Sequence, residues 1–221
     1  MRKVNLGSCF FILSCLIFFP ACSSISIDEN DPAALLKEAE KDIQSDHYQI
    51  ALDKLRTIKN KFPYSKYSLE AQLRIADVYF LQESFTEAGG AYESFRDLHP
   101  KHEKVGYAMF KAAKSYYLDS PSTIARDLTP AHKALTAYSD FLKRFPQAPE
   151  AEEAKKDVSQ IRKLLSEKEL YIGDFYFKRD LYDSAKNRYE KIIEFYSDTE
   201  AAKKAQFKLE KLVPKKMTHA N

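Results

Sequence analysis

The apolar positions of this chain recur with a helical rhythm, not an alternating one. Ala51, Ala88, Ala134 and Ala185 each open the same pattern, with Leu55, Tyr92, Tyr138 and Tyr189 at +4 and Ile58, Phe95, Phe141 and Ile192 at +7. Phe62, His99, Phe145 and Tyr196 stand at +11, followed at +12 by Pro63, Pro100, Pro146 and Ser197. The alanine and its +4, +7 and +11 companions share one face of an α-helix. A proline just beyond ends the helix, because it has no N–H to donate and crowds the preceding turn.

A second helical stretch precedes each alanine. In three copies a small residue lies twelve positions before it, namely Ala39, Ala76 and Gly173, and in the third copy Ala112 and Ala113 serve with an offset. Small residues belong where the two helices of a hairpin touch. Tyr48, Phe85 and Tyr182, three before the alanine, mark the start of the second helix. The fold class that follows is all-α, a tetratricopeptide-repeat superhelix of helix-turn-helix hairpins. The repeats fall at about 32–64, 66–100, 103–146 and 149–197, within a domain spanning 31–213.

The steps between alanines are 37, 46 and 51 residues, so the copies are not uniform. The second step contains Leu118 to Thr129, bracketed by Pro121 and Pro130, which reads as a long loop. The third contains Pro149 to about Lys178, nearly free of breakers, which predicts one long helix with Pro149 in its first turn. Asp198 and Thr199 can cap a last helix over 199–212, ending before Pro214 and covering the end of the stack, with 214–221 as a basic tail. Most of the 14 Tyr and 15 Phe are then interhelical core. On the inner, first-helix side, Tyr79 and Tyr116 are the candidates for lining a concave groove.

With 44% hydrophobic and 30% charged residues the chain is not disordered, and its three cysteines, Cys9, Cys15 and Cys22, leave the body without disulfides or thiolate metal sites. Arg2 and Lys3 precede an apolar run over 6–19, shorter than the roughly 20 residues of a membrane span, which reads as a cleaved signal peptide over 1–21. Phe19-Pro20-Ala21-Cys22 resembles the lipobox of bacterial lipoproteins, in which the cysteine becomes the acylated first residue of the mature chain. Cys15, after Ile12-Leu13-Ser14, is the alternative site. Acylation by more than one chain gives stable anchoring, and since Asp after the cysteine marks inner-membrane retention in lipoproteins of the resembled class, the resemblance implies the outer membrane for a chain with Ser23 there. Residues 22–30 then form the acylated cysteine and a polar tether.

Loss of Arg2 and Lys3 lowers the formal charge from +3 to +1, so no nucleic-acid partner is expected. Lys203, Lys204, Lys208, Lys211, Lys215 and Lys216 read as a solvated helix face and tail. His99, His102 and Glu103 look like a short metal-ligand cluster, but their place in a helix-to-helix turn favours a structural role. No nucleophile elbow, zinc-protease motif, phosphate loop or dinucleotide fingerprint occurs. No enzyme activity, metal, cofactor or small-molecule substrate is expected.

Several irregular segments carry more than the repeat itself. Phe62-Pro63-Tyr64-Ser65-Lys66-Tyr67, Glu70-Ala71-Gln72-Leu73, His99-Pro100-Lys101-His102 and Tyr107-Ala108 occur in that order. Arg126-Asp127, Arg144-Phe145-Pro146, Glu167-Lys168-Glu169-Leu170, Phe175-Tyr176-Phe177-Lys178-Arg179, Ala185-Lys186-Asn187-Arg188 and Ser197-Asp198-Thr199 follow. Over roughly 30–212 this order resembles the BamD family, also called YfiO or ComL, the repeat lipoproteins of the β-barrel assembly machinery.

The resemblance implies a periplasm-facing lipoprotein held on the outer membrane by its lipid anchor, a scaffold and substrate receptor for β-barrel assembly. Its partners would be the POTRA domains of a BamA-like protein of the Omp85 type and unfolded outer membrane β-barrel clients. In the family an Asn-Arg motif of the late repeat is implicated in the first contact; the matching positions are Asn187 and Arg188, beside Tyr189. Without the resemblance, Arg188 would be a surface arginine paired with Glu190 or Asp183. The family's early repeats receive the client's C-terminal signal, which points to the groove of residues 33–100; an extended, aromatic-ended peptide suits a tyrosine-lined groove.

The chain departs from the family pattern at Ala148 and Pro149, where the first copy has a serine, at Ser197 in place of proline, and in the little that remains of a fifth repeat. The rival reading is an envelope repeat lipoprotein acting as adaptor for peptidoglycan or cell-division proteins. It would share anchor and superhelix but lack the Arg126-Asp127 loop and the long fourth-repeat helix.

Overall fold

The computed structural model describes residues 30–219, with side chains through Leu212. The expected signal peptide, Cys22 and the expected tether before Asn30 lie outside the described residues. The chain there forms α1 (Pro32–Gln44), α2 (Tyr48–Lys61), α3 (Lys66–Leu81), α4 (Phe85–Leu98), α5 (Val105–Asp119), α6 (Thr129–Arg144), α7 (Ala151–Phe177), α8 (Tyr182–Phe195) and α9 (Glu200–His219). Each helix packs on the next, giving four hairpins closed by α9. The all-α repeat architecture is therefore as the periodicity predicts.

The helix stops follow from the +11 residues. Phe62, His99, Phe145 and Tyr196 are all C-caps, with φ of −126, −130, −130 and −134°, and each still donates its N–H to the carbonyl four residues back. A following proline favours this non-helical geometry. Tyr196 adopts it before Ser197, so the missing proline is replaced by what comes next. Thr199 donates its hydroxyl to the Tyr196 carbonyl and accepts from the Ala202 N–H, as Ser65 does with Phe62 and Ser68. The second copy substitutes His102, whose Nδ1 accepts from the Lys104 N–H.

Two boundaries differ from the sequence expectation. Ala148 offers no hydroxyl cap, so two successive turns, Ala148 to Phe145 and Ala151 to Ala148, carry the chain into α7. Pro149 therefore precedes the first turn of α7 and does not sit within it. At the other end α9 runs through Pro214 to His219 instead of stopping near Leu212. One proline removes a single donor and can bend a helix without ending it.

The repeat alanines and their +4 and +7 companions are buried in all four copies. Each large apolar side chain so buried contributes roughly 1.5–3 kcal/mol. Gly173 shows why a small residue is required twelve before the alanine, since a Cβ there would lie 2.5 Å from the Tyr189 ring. Inside three hairpins the chain reverses through a left-handed residue, Asp46, Glu83 and Asp180, with φ of 58, 57 and 60°. Asp46 and Asp180 each accept a hydrogen bond from the tyrosine two residues on, Tyr48 and Tyr182.

The odd-numbered helices touch one another across the hairpins, α1 with α3, α5 with α7 and α7 with α9, whereas the even-numbered helices make no comparable contact among the described residues. Closer spacing in one layer puts that layer on the inside of a curved stack. The concave face is thus built from α1, α3, α5 and α7.

Candidate functional site: a late-repeat arginine face and a concave groove

On α8, Arg188 and Lys191 converge on one carboxylate of α7. Arg188 Nη1 donates to Glu169 Oε2 at 2.9 Å and Lys191 Nζ to Glu169 Oε1 at 2.6 Å. Glu169 is buried, and burial alone would raise its carboxyl; the two cations outweigh that and hold it below the usual carboxylate range. The Arg188 side chain stays 36% exposed, so it is fixed in direction while part of its guanidinium faces solvent. Exposed Asn187 and Ser184, with Tyr176 of α7, line a shallow hollow around it. The arginine's neighbour is therefore Glu169 and not Glu190, which pairs with Lys186.

Tyr189 does not belong to this surface. It is 0% exposed and donates its hydroxyl to Asp174 at 2.7 Å, beside Lys208. The same arrangement holds Tyr92 on Asp77, at 2.6 Å, and Tyr138 on Asp157, at 2.7 Å. Each aspartate also holds a cation, Arg74 and Lys114 respectively. A buried carboxylate left unpaired is costly, and a tyrosine hydroxyl with an ammonium or guanidinium satisfies it. Burial first and the carboxylate second push these phenols well above their ordinary value.

The groove candidates also move. Tyr116 is 6% exposed, its ring fills the space over Gly89 of α4, and its hydroxyl bonds Glu93. Tyr79 is half-buried and accepts from Arg56 of α2, in the seam between hairpins. Neither lies on the concave wall, because both sit on the flank of their helix that faces the preceding hairpin. A tyrosine that does line the concave face is Tyr107, 37% exposed, donating to Asp77. With it Leu36, Glu40, Glu70, Arg74 and Lys104 line an open hollow between α1, α3 and α5.

Sequence reasoning assigned no role to Asp77, Asp157, Asp174 or Glu169. A signal for two of them was present: Ala76-Asp77 and Gly173-Asp174 repeat the same small-residue–aspartate pair, each fifteen residues before a +4 tyrosine. His99 faces Gln72 at 3.1 Å, and both His99 and His102 pack on the Phe95 ring. The loop over 120–128 is pinned by buried Leu128 and by Lys168 of α7, which donates to the Ile124 carbonyl, leaving Arg126 exposed.

A family model described as outer membrane lipoprotein, YfiO, matches residues 28–217. The chain belongs to the YfiO family of outer membrane lipoproteins. Among YfiO-like relatives, a Vibrio cholerae protein is 27% identical over 199 residues, covering 86% of this chain and 83% of its own length. A Pasteurella multocida protein is 25% identical over 215 residues, covering 93% and 82%. A Neisseria meningitidis serogroup A protein is 28% identical over 174 residues; the match covers 75% of this chain and 65% of that protein. All three are named outer membrane protein assembly factor BamD. No helix among the described residues is long and apolar enough to cross a membrane.

Proposed function

We propose that the chain is an assembly factor for outer membrane β-barrel proteins, acting by binding and not by catalysis. The observation that carries this reading is the family match across residues 28–217, together with the name shared by its relatives. The pinned loop bearing Arg126-Asp127 and the 27-residue α7 are the two features that the peptidoglycan or cell-division adaptor was expected to lack.

In this reading Cys22 is the acylated residue that holds the repeat domain at the periplasmic face of the outer membrane. The Arg188 and Asn187 face docks on the POTRA domains of a BamA-like protein. Its support is physical: Glu169 orients Arg188 but leaves it exposed enough to meet a partner's carboxylate. The groove of α1, α3 and α5 takes an extended segment of an unfolded client, with Tyr107 and the flanking ion pairs offering apolar surface and hydrogen-bond donors.

Affinity purification of the native lipoprotein from solubilised outer membranes tests it. A BamA-like barrel is expected among the partners, reduced about tenfold or more by Arg188→Glu and retained by Lys155→Met. Recovery of peptidoglycan amidases or synthases without a barrel protein would overturn the reading.

A further inference from the structure

Along the concave face, α5 and its N-cap residue present Lys104, Tyr107, Lys111 and Lys114 on one stripe. Three of these four meet a carboxylate on a neighbouring odd-numbered helix. Lys104 pairs with Glu70 at 3.1 Å, Tyr107 donates to Asp77 at 2.8 Å, and Lys114 meets Asp157 at 2.7 Å and Glu153 at 2.8 Å. The fourth faces Phe80 of α3, with its Nζ 3.3 Å from the ring centroid. Among the described residues no carboxylate lies within 4.0 Å of the Lys111 ammonium.

The acids whose charge it feels, Asp77 and Glu153, are already engaged. Lys111 is also half-buried, and burial holds its ammonium below the usual lysine value. An aromatic face attracts a cation but satisfies only one side of it, leaving the remaining N–H donors to water, which a carboxylate can replace. A partly desolvated cation of this kind is completed by an anion from elsewhere. One ammonium beside cations that are already neutralised suits a carboxylate better than a phosphate dianion.

We infer that Lys111 is the docking point for a carboxylate carried by an extended peptide lying in the concave groove. This rests on the groove reading above and adds the group that the groove recognises. The carboxylate can come from a chain terminus or from an Asp or Glu side chain; the chemistry at Lys111 is the same.

Fluorescence anisotropy on the full lipoprotein in detergent tests it, with a labelled ten-residue peptide of alternating Val and Thr ending in Phe. The peptide is made as the free acid, as the C-terminal amide, and as the amide with one internal Glu. The free acid, the Glu amide or both are expected to bind about five- to tenfold tighter than the plain amide, as one charge-assisted hydrogen bond implies. Lys111→Met erases that preference, Lys111→Arg keeps it, and Lys155→Met leaves it unchanged. Which carboxylate peptide shows the preference identifies the source. The melting temperature of Lys111→Met is expected at or above that of the wild type; should it fail to fold, Lys111→Gln gives the same reading. If the peptides bind equally, or the preference survives in Lys111→Met, the inference falls and the groove reading stands. If none of the three binds, the groove reading falls and the inference with it.

Discussion

In the second hairpin Tyr92 reaches back fifteen residues to Asp77 of α3, and in the fourth Tyr189 reaches back fifteen to Asp174 of α7. In the third, Tyr138 reaches forward nineteen residues to Asp157, on the first half of α7. The third hairpin is therefore locked only once the helix of the fourth is in place. The packing agrees: one continuous core runs from Met109 to Leu212, whereas the N-terminal half divides into a core over α1–α3 and another over α3–α5. A helix of 27 residues spans two repeats and joins them in one core, whereas the N-terminal half is built around two. That division suits the contact proposed at Arg188 and the client groove proposed around Tyr107.

The largest effect expected on this comparison comes from Asp157→Ala, which strands the buried Tyr138 hydroxyl and leaves Lys114 with Glu153 alone. A loss of about 2–4 kcal/mol is expected. Hydrogen exchange is expected to speed up throughout α5–α9, whereas Asp77→Ala loosens α3–α5 alone. An Asp157→Ala effect confined to α6 would show that α7 does not join the two hairpins.

Gly173→Ala comes next. Its Cβ would meet the Tyr189 ring at 2.5 Å, and overpacking of this kind costs about 1–3 kcal/mol. Gly90→Ala is the opposite control, since nothing lies within 4 Å there, and it is expected to gain up to about 1 kcal/mol from helix propensity. Denaturant midpoints for the two variants are expected on opposite sides of the wild type.

Acid sensitivity is a smaller effect and is again expected in the C-terminal half. The Glu169 carboxyl is depressed in the folded state, so the native protein binds fewer protons there than the unfolded chain. Its stabilisation is present above the unfolded value of about 4.3 and is lost as pH falls through the folded value. Between about pH 5 and pH 3 the melting temperature of the wild type is expected to fall more steeply than that of Glu169→Gln.

The smallest effect is in the second hairpin. Glu83 occupies the left-handed turn position without the tyrosine contact that Asp46 and Asp180 have. Glu83→Gly is expected to stabilise by about 0.5 kcal/mol, seen as a shift in the denaturant midpoint at unchanged slope.

The +0, +4, +7 and +11 pattern was readable because burial of one helix face demands apolar residues at fixed spacing, and a proline stop is a local property of the chain. The site was less readable. Tyr79, Tyr116 and Tyr189 differ from Tyr107 not in residue type but in the flank of the helix they occupy, and a shift of two positions turns a side chain by more than half a turn. Arg188 was found through family likeness, while Glu169, which orients it, lies 19 positions away on another helix. Long-range ion pairs leave no periodic trace. Pro149 and Pro214 were misplaced because a proline limits where a helix begins or bends without fixing its boundary.

The proposed division of labour between the two halves is most directly tested by site-specific photocrosslinking in intact cells, with the photoreactive residue at Leu36 in the groove or at Asn187 beside Arg188. β-Barrel precursor adducts are expected from position 36 and a BamA-like adduct from position 187. Precursor and BamA-like adducts arising from the same position, or no BamA-like adduct from position 187, would contradict it.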